Sequence, residues 1–361
     1  MMRMCDTPPL DALAASVVAE DTAPTAAVGW RSLEGRGAVG GPQDALFDLA
    51  SVSKSFTAVA IARSGLDRRT PLAVLLPELA AAPAGQATLE HLLSHRAGLA
   101  AHLELFAPLR DHGETIDPDT ARFQAAVARR PECVGPIPAG GFDAVYSDLG
   151  YLLAGEALAR HVGAIDAGDA VDRLVVVPLG LEGQLGTARS LGPDSRFVPT
   201  ETTTWRDPRP LQGVVHDENA FVLTGLGGSG HAGLFGTMEA VLRFGVSVLG
   251  LLEGEGPLAT HEPPRWLVEP RPRTTWRAGF DGKSDLGSSA GPFASARSFG
   301  HLGFTGTSLW IDPERRVVTS LLCNRVAPSR YRIPAAGGIK VTRPRVHEAL
   351  FRLAACGIVR A

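Results

Sequence analysis

Apolar residues recur with a helical period through the middle of this 361-residue chain and with a strand-like period near its two ends. TAAVGWR (25–31) and DALFDL (44–49) read as an early antiparallel pair of strands separated by the glycine-rich turn EGRGAVGGPQ. SVSKSFTAVAIARS then reads as a helix. Helices are also expected over TLEHLLSHRAGL (88–99), with Thr88 as its cap, and over SDLGYLLAGEALARHVG (147–163), AGDAVDRLVVVPLGL (167–181) and TMEAVLRFGVSVLGLL (237–252). The C-terminal third changes character. SFGHLGFTGTSLWID (298–312) and RVVTSLLCNRV (316–326) predict a hairpin closed by DPER, followed by an amphipathic helix, RPRVHEALFRLAA (343–355). The expected fold is α+β: one domain over residues 10–355, with an antiparallel sheet built from about 10–60 and 255–355, flanked by helices, and a mainly helical lobe from about 61–254.

Composition narrows the function classes. A net charge of −3 offers neither the basic patch of a nucleic-acid binder nor an acidic tail, so small, roughly neutral partners are expected. The most apolar window, VLRFGVSVLGLL, contains an arginine and is too short to span a bilayer. The N-terminal stretch lacks the basic and apolar regions of an export leader, and the expectation is a cytoplasmic protein. Cys5, Cys133, Cys323 and Cys356 lie far apart with no metal spacing, as lone buried thiols in a reducing compartment would. No metal and no organic cofactor is expected.

Among 35 basic residues only Lys54, Lys283 and Lys340 are lysines. Where a chain prefers arginine for simple positive charge, a lysine invites a chemical reason, because a desolvated lysine can release its proton and arginine cannot. Lys54 stands three residues after Ser51, on one face of the expected helix and near its N-terminal end, where a lysine amine can activate a serine nucleophile. On spacing alone a serine cap with a surface lysine accounts equally well for the pair, and the rest of the chain decides.

Downstream, Tyr146, Ser147 and Asp148 precede a helix, and His301, Leu302 and Gly303 lie on a late strand. S-x-x-K, Y-x-D and H-x-G in that order resemble the serine β-lactamase and penicillin-binding-protein superfamily, in its cephalosporinase-like branch with carboxypeptidases and esterases. LASVSKSFTA, TLEHLLSHRAGL, VYSDLGYLLAGE, VHDENA, GHAGLF and GHLGFTGTSLWIDPE all look like this family, in family order, over about residues 25–350. The resemblance implies an acyl-enzyme serine hydrolase. Ser51 would be the nucleophile, Lys54 its base partner and Tyr146 the group that trades protons with serine and leaving group. Asp148, His301, Gly303 and Phe304 would contact substrate, with the backbone amides of Ser51 and Phe304 as oxyanion hole.

Two departures from the family pattern bear on substrate. Asp148 replaces an asparagine amide that can donate with a carboxylate that only accepts. Leu302 replaces a threonine, and His301 replaces a lysine with a ring largely neutral at pH 7. Ester or neutral amide substrates are therefore favoured over a β-lactam or D-alanyl-D-alanine, which stay as the alternative, together with a non-catalytic binding protein that keeps the fold. Other features carry less. GSSAG (287–291) matches a nucleophile elbow around Ser289 but lies in a loop, and His91 and His95 lack the glutamate of a zinc motif, so interior packing is expected of them. His216, Asp217 and His231 either line a pocket rim or, as is favoured, stabilise glycine-rich loops, and Arg325 either meets a substrate anion or caps the sheet edge.

Overall fold

The computed structural model describes residues 9–334 and 337–359, leaving Cys5 outside. Its main sheet has six antiparallel strands drawn from both ends of the chain, in the order β2 (Gly37–Gly40), β1 (Ala26–Ser32), β9 (Val317–Cys323), β8 (Ser308–Asp312), β7 (Phe299–Leu302) and β6 (Asp281–Gly282). A second, three-stranded sheet joins β3 (Phe47–Asp48), β5 (Leu234–Gly236) and β4 (Leu185–Thr187) in the order β3-β5-β4.

The main sheet is buried on both faces, which is why its strands read as nearly continuous apolar runs. In β9, Val317, Leu321 and Cys323 join one core while Val318 and Leu322 join the other, as the two-residue period of a strand requires. On the first face lie α1 (Leu10–Ala19) and the C-terminal helix Ile339–Val359, whose Val346, Leu350 and Phe351 pack with Leu13, Trp30 and Trp310. On the second lie helix Ser53–Arg63 and helix Met238–Glu253, joined by stacked Phe56 and Phe244 rings 3.7 Å apart. Although residues 238–253 fall inside the stretch expected to be a helical insertion, Gly29 and Gly245 bring this helix directly onto the sheet. A Cβ on Gly29 would sit 2.8 Å from Leu242 and one on Gly245 2.5 Å from Val318.

Several local expectations are corrected. The partner of β1 is not 44–49 but 37–40, inside the presumed turn, with Val28 opposite Gly40 and Arg31 opposite Gly37. Gly40 serves close packing rather than turning, since a Cβ there would strike the Leu10 carbonyl of α1. Residues 47–48 pair instead with Phe235 and Gly236. The run 298–312 is two strands, because Gly303–Thr307 turns the chain before β8 begins. The helix expected over 88–99 covers only Leu89–Leu93; Thr88 caps it, but it ends where His95 takes a left-handed φ of 59°. The C-terminal helix is longer than 343–355 and accommodates Pro344. Cys133 and Cys323 are buried thiols, whereas Cys356 is only half-buried. Among the described residues no helix is long and apolar enough to cross a membrane.

Candidate active site

Ser51 lies in a single 3₁₀ turn, Ala50–Val52, that leads into helix Ser53–Arg63. Ala50 holds a φ of 47°, a left-handed conformation that costs a non-glycine residue free energy and persists only when its surroundings enforce it. Asp48 enforces it. Its Oδ1 accepts from the Ala50 amide at 2.8 Å and its Oδ2 from the His216 amide at 2.6 Å. Thr305 and Thr307 hydroxyls donate to the carbonyls of Asp48 and Leu49 at 2.7 and 2.9 Å, stitching the turn after β7 to the Ser51 segment. Gly303 permits that approach, since a Cβ would lie 2.5 Å from the Leu49 carbonyl oxygen. The Phe304 amide on this turn has no acceptor among the described residues.

Helix Ser53–Arg63 is buried on nearly all sides, so it shows no amphipathic stripe and its polar residues must find partners inside the protein. Ser55 donates to the Gly279 carbonyl and Thr57 to that of Gly230. Lys54, fully buried, donates from Nζ to Ser51 Oγ at 3.0 Å, to Asp148 Oδ1 at 2.7 Å and to the His231 carbonyl at 3.2 Å. Tyr146 donates its hydroxyl to Ser51 Oγ at 2.8 Å. The three residues are thus brought together across 95 positions of sequence.

Asp148 opens helix Asp148–Val162, capped by Ser147, so its carboxylate sits at the favourable end of the helix dipole. Burial opposes ionisation of both Lys54 and Asp148, but their mutual attraction outweighs it. The Lys54 ammonium is held above its ordinary pKa and the Asp148 carboxyl well below the usual range. Burial raises the Tyr146 phenol, with the Lys54 charge offsetting part of the rise. Lys54 Nζ also lies 4.9 Å from the Tyr146 ring centre.

Ser51, Tyr146, Asp148, Leu302, Gly303 and Phe304 line one cavity of about 590 Å³. The His301 ring is not in that wall. It is buried against Tyr146 and Trp276, with Nδ1 2.9 Å from the Leu302 carbonyl, and burial followed by the Lys54 charge pushes its pKa down to about 3. Its Nδ1 therefore carries the proton, and Nε2 has no partner among the described residues. A larger cavity of about 700 Å³, lined by Trp266, Arg277 and Phe299 among others, does not contain Ser51.

The other histidines divide as their surroundings dictate. His95 accepts from the Ser147 amide at 3.0 Å and packs against Tyr146, Tyr151 and Trp276, so it braces the tyrosine. His91 is half-buried and completes the cap of its own helix, not an interior packing role. His216 bonds Glu201 at 2.9 Å, and His231 bridges Ser229 and Asp217 at 2.6 and 2.8 Å while its carbonyl holds Lys54. No cluster that could hold a metal occurs among the described residues. Ser289 accepts from the Trp310 indole at 3.2 Å and lies outside the cavity.

Sequence reasoning missed three contributors. His102 lines the cavity with Nδ1 3.7 Å from Asp148 Oδ2, and that carboxylate raises its pKa. Trp276 packs Tyr146 from a loop with no motif, and Arg343 reaches the turn after β7 from the C-terminal helix. Only His102, just beyond the HLLSHRAGL motif, gave any local signal.

With this geometry in view, a family model described as Beta-lactamase matches residues 12–342. Curated relatives include N-acetylmuramyl-L-alanine amidase of Bacillus subtilis (strain 168), 30% identical over 200 residues, covering 50% of this chain and 44% of that protein. A protein of Salmonella heidelberg (strain SL476), provisionally named a D-alanyl-D-alanine carboxypeptidase, is 28% identical over 202 residues, covering 50% and 45%. The chain thus spans less than half the length of these relatives. Among solved structures, EstCE1, a hydrolase with promiscuous acyltransferase activity, aligns with a TM-score of 0.68 at 18% identity over 95% of this chain and 97% of that one. A class C β-lactamase from Rhodobacter sphaeroides aligns with a TM-score of 0.65 at 19% identity over 96% and 98%. These structural likenesses establish a shared β-lactamase/transpeptidase-like fold.

Proposed function

The chain belongs to the Beta-lactamase family of serine hydrolases, and from that premise we propose that it cleaves an ester or amide through an acyl-enzyme on Ser51. The observation that carries this reading is the pair of hydrogen bonds reaching Ser51 Oγ from Lys54 and Tyr146 at the wall of an open cavity.

Both neighbours act as donors in the resting site, so neither can yet take the serine proton. Reaction begins when the Lys54 and Tyr146 pair gives up one proton to solvent. Tyr146, as phenolate beside the Lys54 ammonium, then accepts the Ser51 proton as Oγ attacks the substrate carbonyl. The backbone amides of Ser51 and Phe304 would stabilise the resulting oxyanion. Collapse of the tetrahedral adduct breaks the bond to the leaving group, which takes its proton from Tyr146. Water, giving a proton to the same phenolate, attacks the acyl carbonyl, and collapse of the second adduct breaks the bond to Oγ, which takes its proton back from Tyr146.

The preference for an ester or simple amide over a β-lactam rests on Asp148 and Leu302. Asp148 offers only acceptor oxygens, one of which is already taken by Lys54, and Leu302 presents an apolar side chain to the cavity. The curated relatives bear amidase and carboxypeptidase names and one structural neighbour is a hydrolase with acyltransferase activity, which supports acyl chemistry broadly. Exposure to a fluorophosphonate and, separately, to a fluorescent penicillin, read by intact mass, tests the assignment. Labelling by the phosphonate alone is expected. Labelling by both would move the assignment to penicillin-recognising chemistry, and labelling by neither would leave a binding protein.

A further inference from the structure

The cavity of about 700 Å³ shares no lining residue with the Ser51 cavity. It lies where the C-terminal end of helix Met238–Glu253 faces the first residue of β7, so Leu249, Leu252 and Phe299 give it apolar walls and Trp266 an aromatic one. Three arginines, Arg265, Arg277 and Arg297, join that lining. None of them has a carboxylate within ion-pair distance among the described residues. Of the two carboxylates in the wall, Glu253 is held by Arg316 at 3.2 Å and Glu269 is exposed.

Arg277 is the best placed of the three. It belongs to the hairpin of residues 274–282, which is closed by bonds of 2.8 Å from the Arg277 amide to the Phe280 carbonyl and from the Gly282 amide to the Thr275 carbonyl. A Cβ on Gly282 would lie 2.9 Å from Arg277 Nε and Nη2, so this glycine leaves the space in which the guanidinium rests against β6. The guanidinium centre is 5.8 Å from the Phe299 ring, and no side-chain hydrogen bond occupies its nitrogens among the described residues. Burial lowers the Arg277 pKa, Asp281 offsets part of the fall, and Arg271 and Arg297 add to it. Asp281 stands beyond ion-pair distance, and burial raises its own carboxyl. A half-buried guanidinium with free donors is stabilised by an anion brought from outside.

We propose that this cavity is a second ligand site, which binds a small aryl-substituted carboxylate with its carboxylate on Arg277 and Arg297 and its ring against Trp266 and Leu252. The planar fork of arginine meets a carboxylate with two parallel bonds, and a cavity of this size holds a small organic molecule. The site stands apart from the acyl-enzyme reading, because it uses no residue that acts at Ser51. It is nonetheless close to it in the chain. Arg277 faces this cavity while its neighbour Trp276 packs the Tyr146 ring at 5.0 Å, so the bound carboxylate and Tyr146 flank one hairpin.

Photolabelling with 4-benzoylbenzoate, mapped by peptide mass spectrometry, reads this site separately from the Ser51 cavity. Label is expected within residues 249–253, 266–270 or 296–299. 2-Naphthylacetate should suppress that label at a concentration about tenfold below that of the neutral 2-naphthylacetamide, the scale of a hydrogen bond to a charged group. Salt should shrink the difference. Arg277→Gln should abolish the preference for the acid, and Arg297→Gln, at an exposed position whose loss leaves the core intact, should reduce it severalfold. Label confined to other parts of the chain, equal protection by acid and amide, or a preference that survives in both variants would overturn the proposal.

Discussion

Lys54→Met is expected to lower kcat/KM for an ester substrate by about 10²–10⁴-fold, the range general acid–base groups supply, and to destabilise the fold by about 3 kcal/mol. The second effect follows because Asp148 would keep a largely buried charge after losing its partner at 2.7 Å. The two losses are separable. Lys54→Met/Asp148→Asn removes both charges, so it should recover most of the stability while staying inactive, a non-additivity that denaturant titration and steady-state kinetics together resolve. Asp148→Asn alone probes the electrostatics. Asp148 raises the pKa of Lys54, and activity needs the Lys54–Tyr146 pair to lose a proton, so activity should rise with pH along an acidic limb set by that pair. The same carboxylate raises Tyr146, so removing it makes the pair easier to deprotonate, and the limb should move to lower pH. A limb that stays in place or moves upward would mean that this pair does not control the rate.

Tyr146→Phe is the second large effect. The ring is held between His95 and Trp276, with centroids 4.7 and 5.0 Å away, and those contacts do not involve the hydroxyl. The 2.8 Å bond to Ser51 is lost together with the hydroxyl's hydrogen-bonding interaction with Lys54, at a stability cost of about 1 kcal/mol. The expected result is a fall in kcat of about 10²-fold or more with KM little changed, because the phenol acts on moving protons and not on holding the ground-state substrate. A proportionate rise in KM with kcat retained would place Tyr146 in binding instead.

The parts of this site that were legible in the sequence are those written in local spacing. Ser51 and Lys54 share a face because they are three apart, the rarity of lysine marked Lys54, and Ser147 announces the helix that presents Asp148. The strand pairing of 37–40 was hidden because GAVG looks like turn chemistry, whereas its glycine answers to a helix crossing from residues 10–19. The break between β7 and β8 was hidden for a related reason, since the glycines of GFTG were read as part of a strand, whereas Gly303–Thr307 turns the chain. Arg343 and Trp276 could not have been assembled in advance, because neither lies in a motif and each reaches the site only when the C-terminal third packs against the rest of the chain.

The central claim is that Ser51 is acylated during turnover. Trypsin cleavage after Arg36 and Lys54 releases residues 37–54, which carry Ser51 and Ser53. Acid quench of the protein during hydrolysis of a slow ester, followed by fragment sequencing of that peptide, reads the claim directly. The account predicts the acyl mass on Ser51, absent in Ser51→Ala and retained in Ser289→Ala. An acyl group on Ser289 or any other residue, with Ser51 unmodified while ester is being consumed, would contradict it.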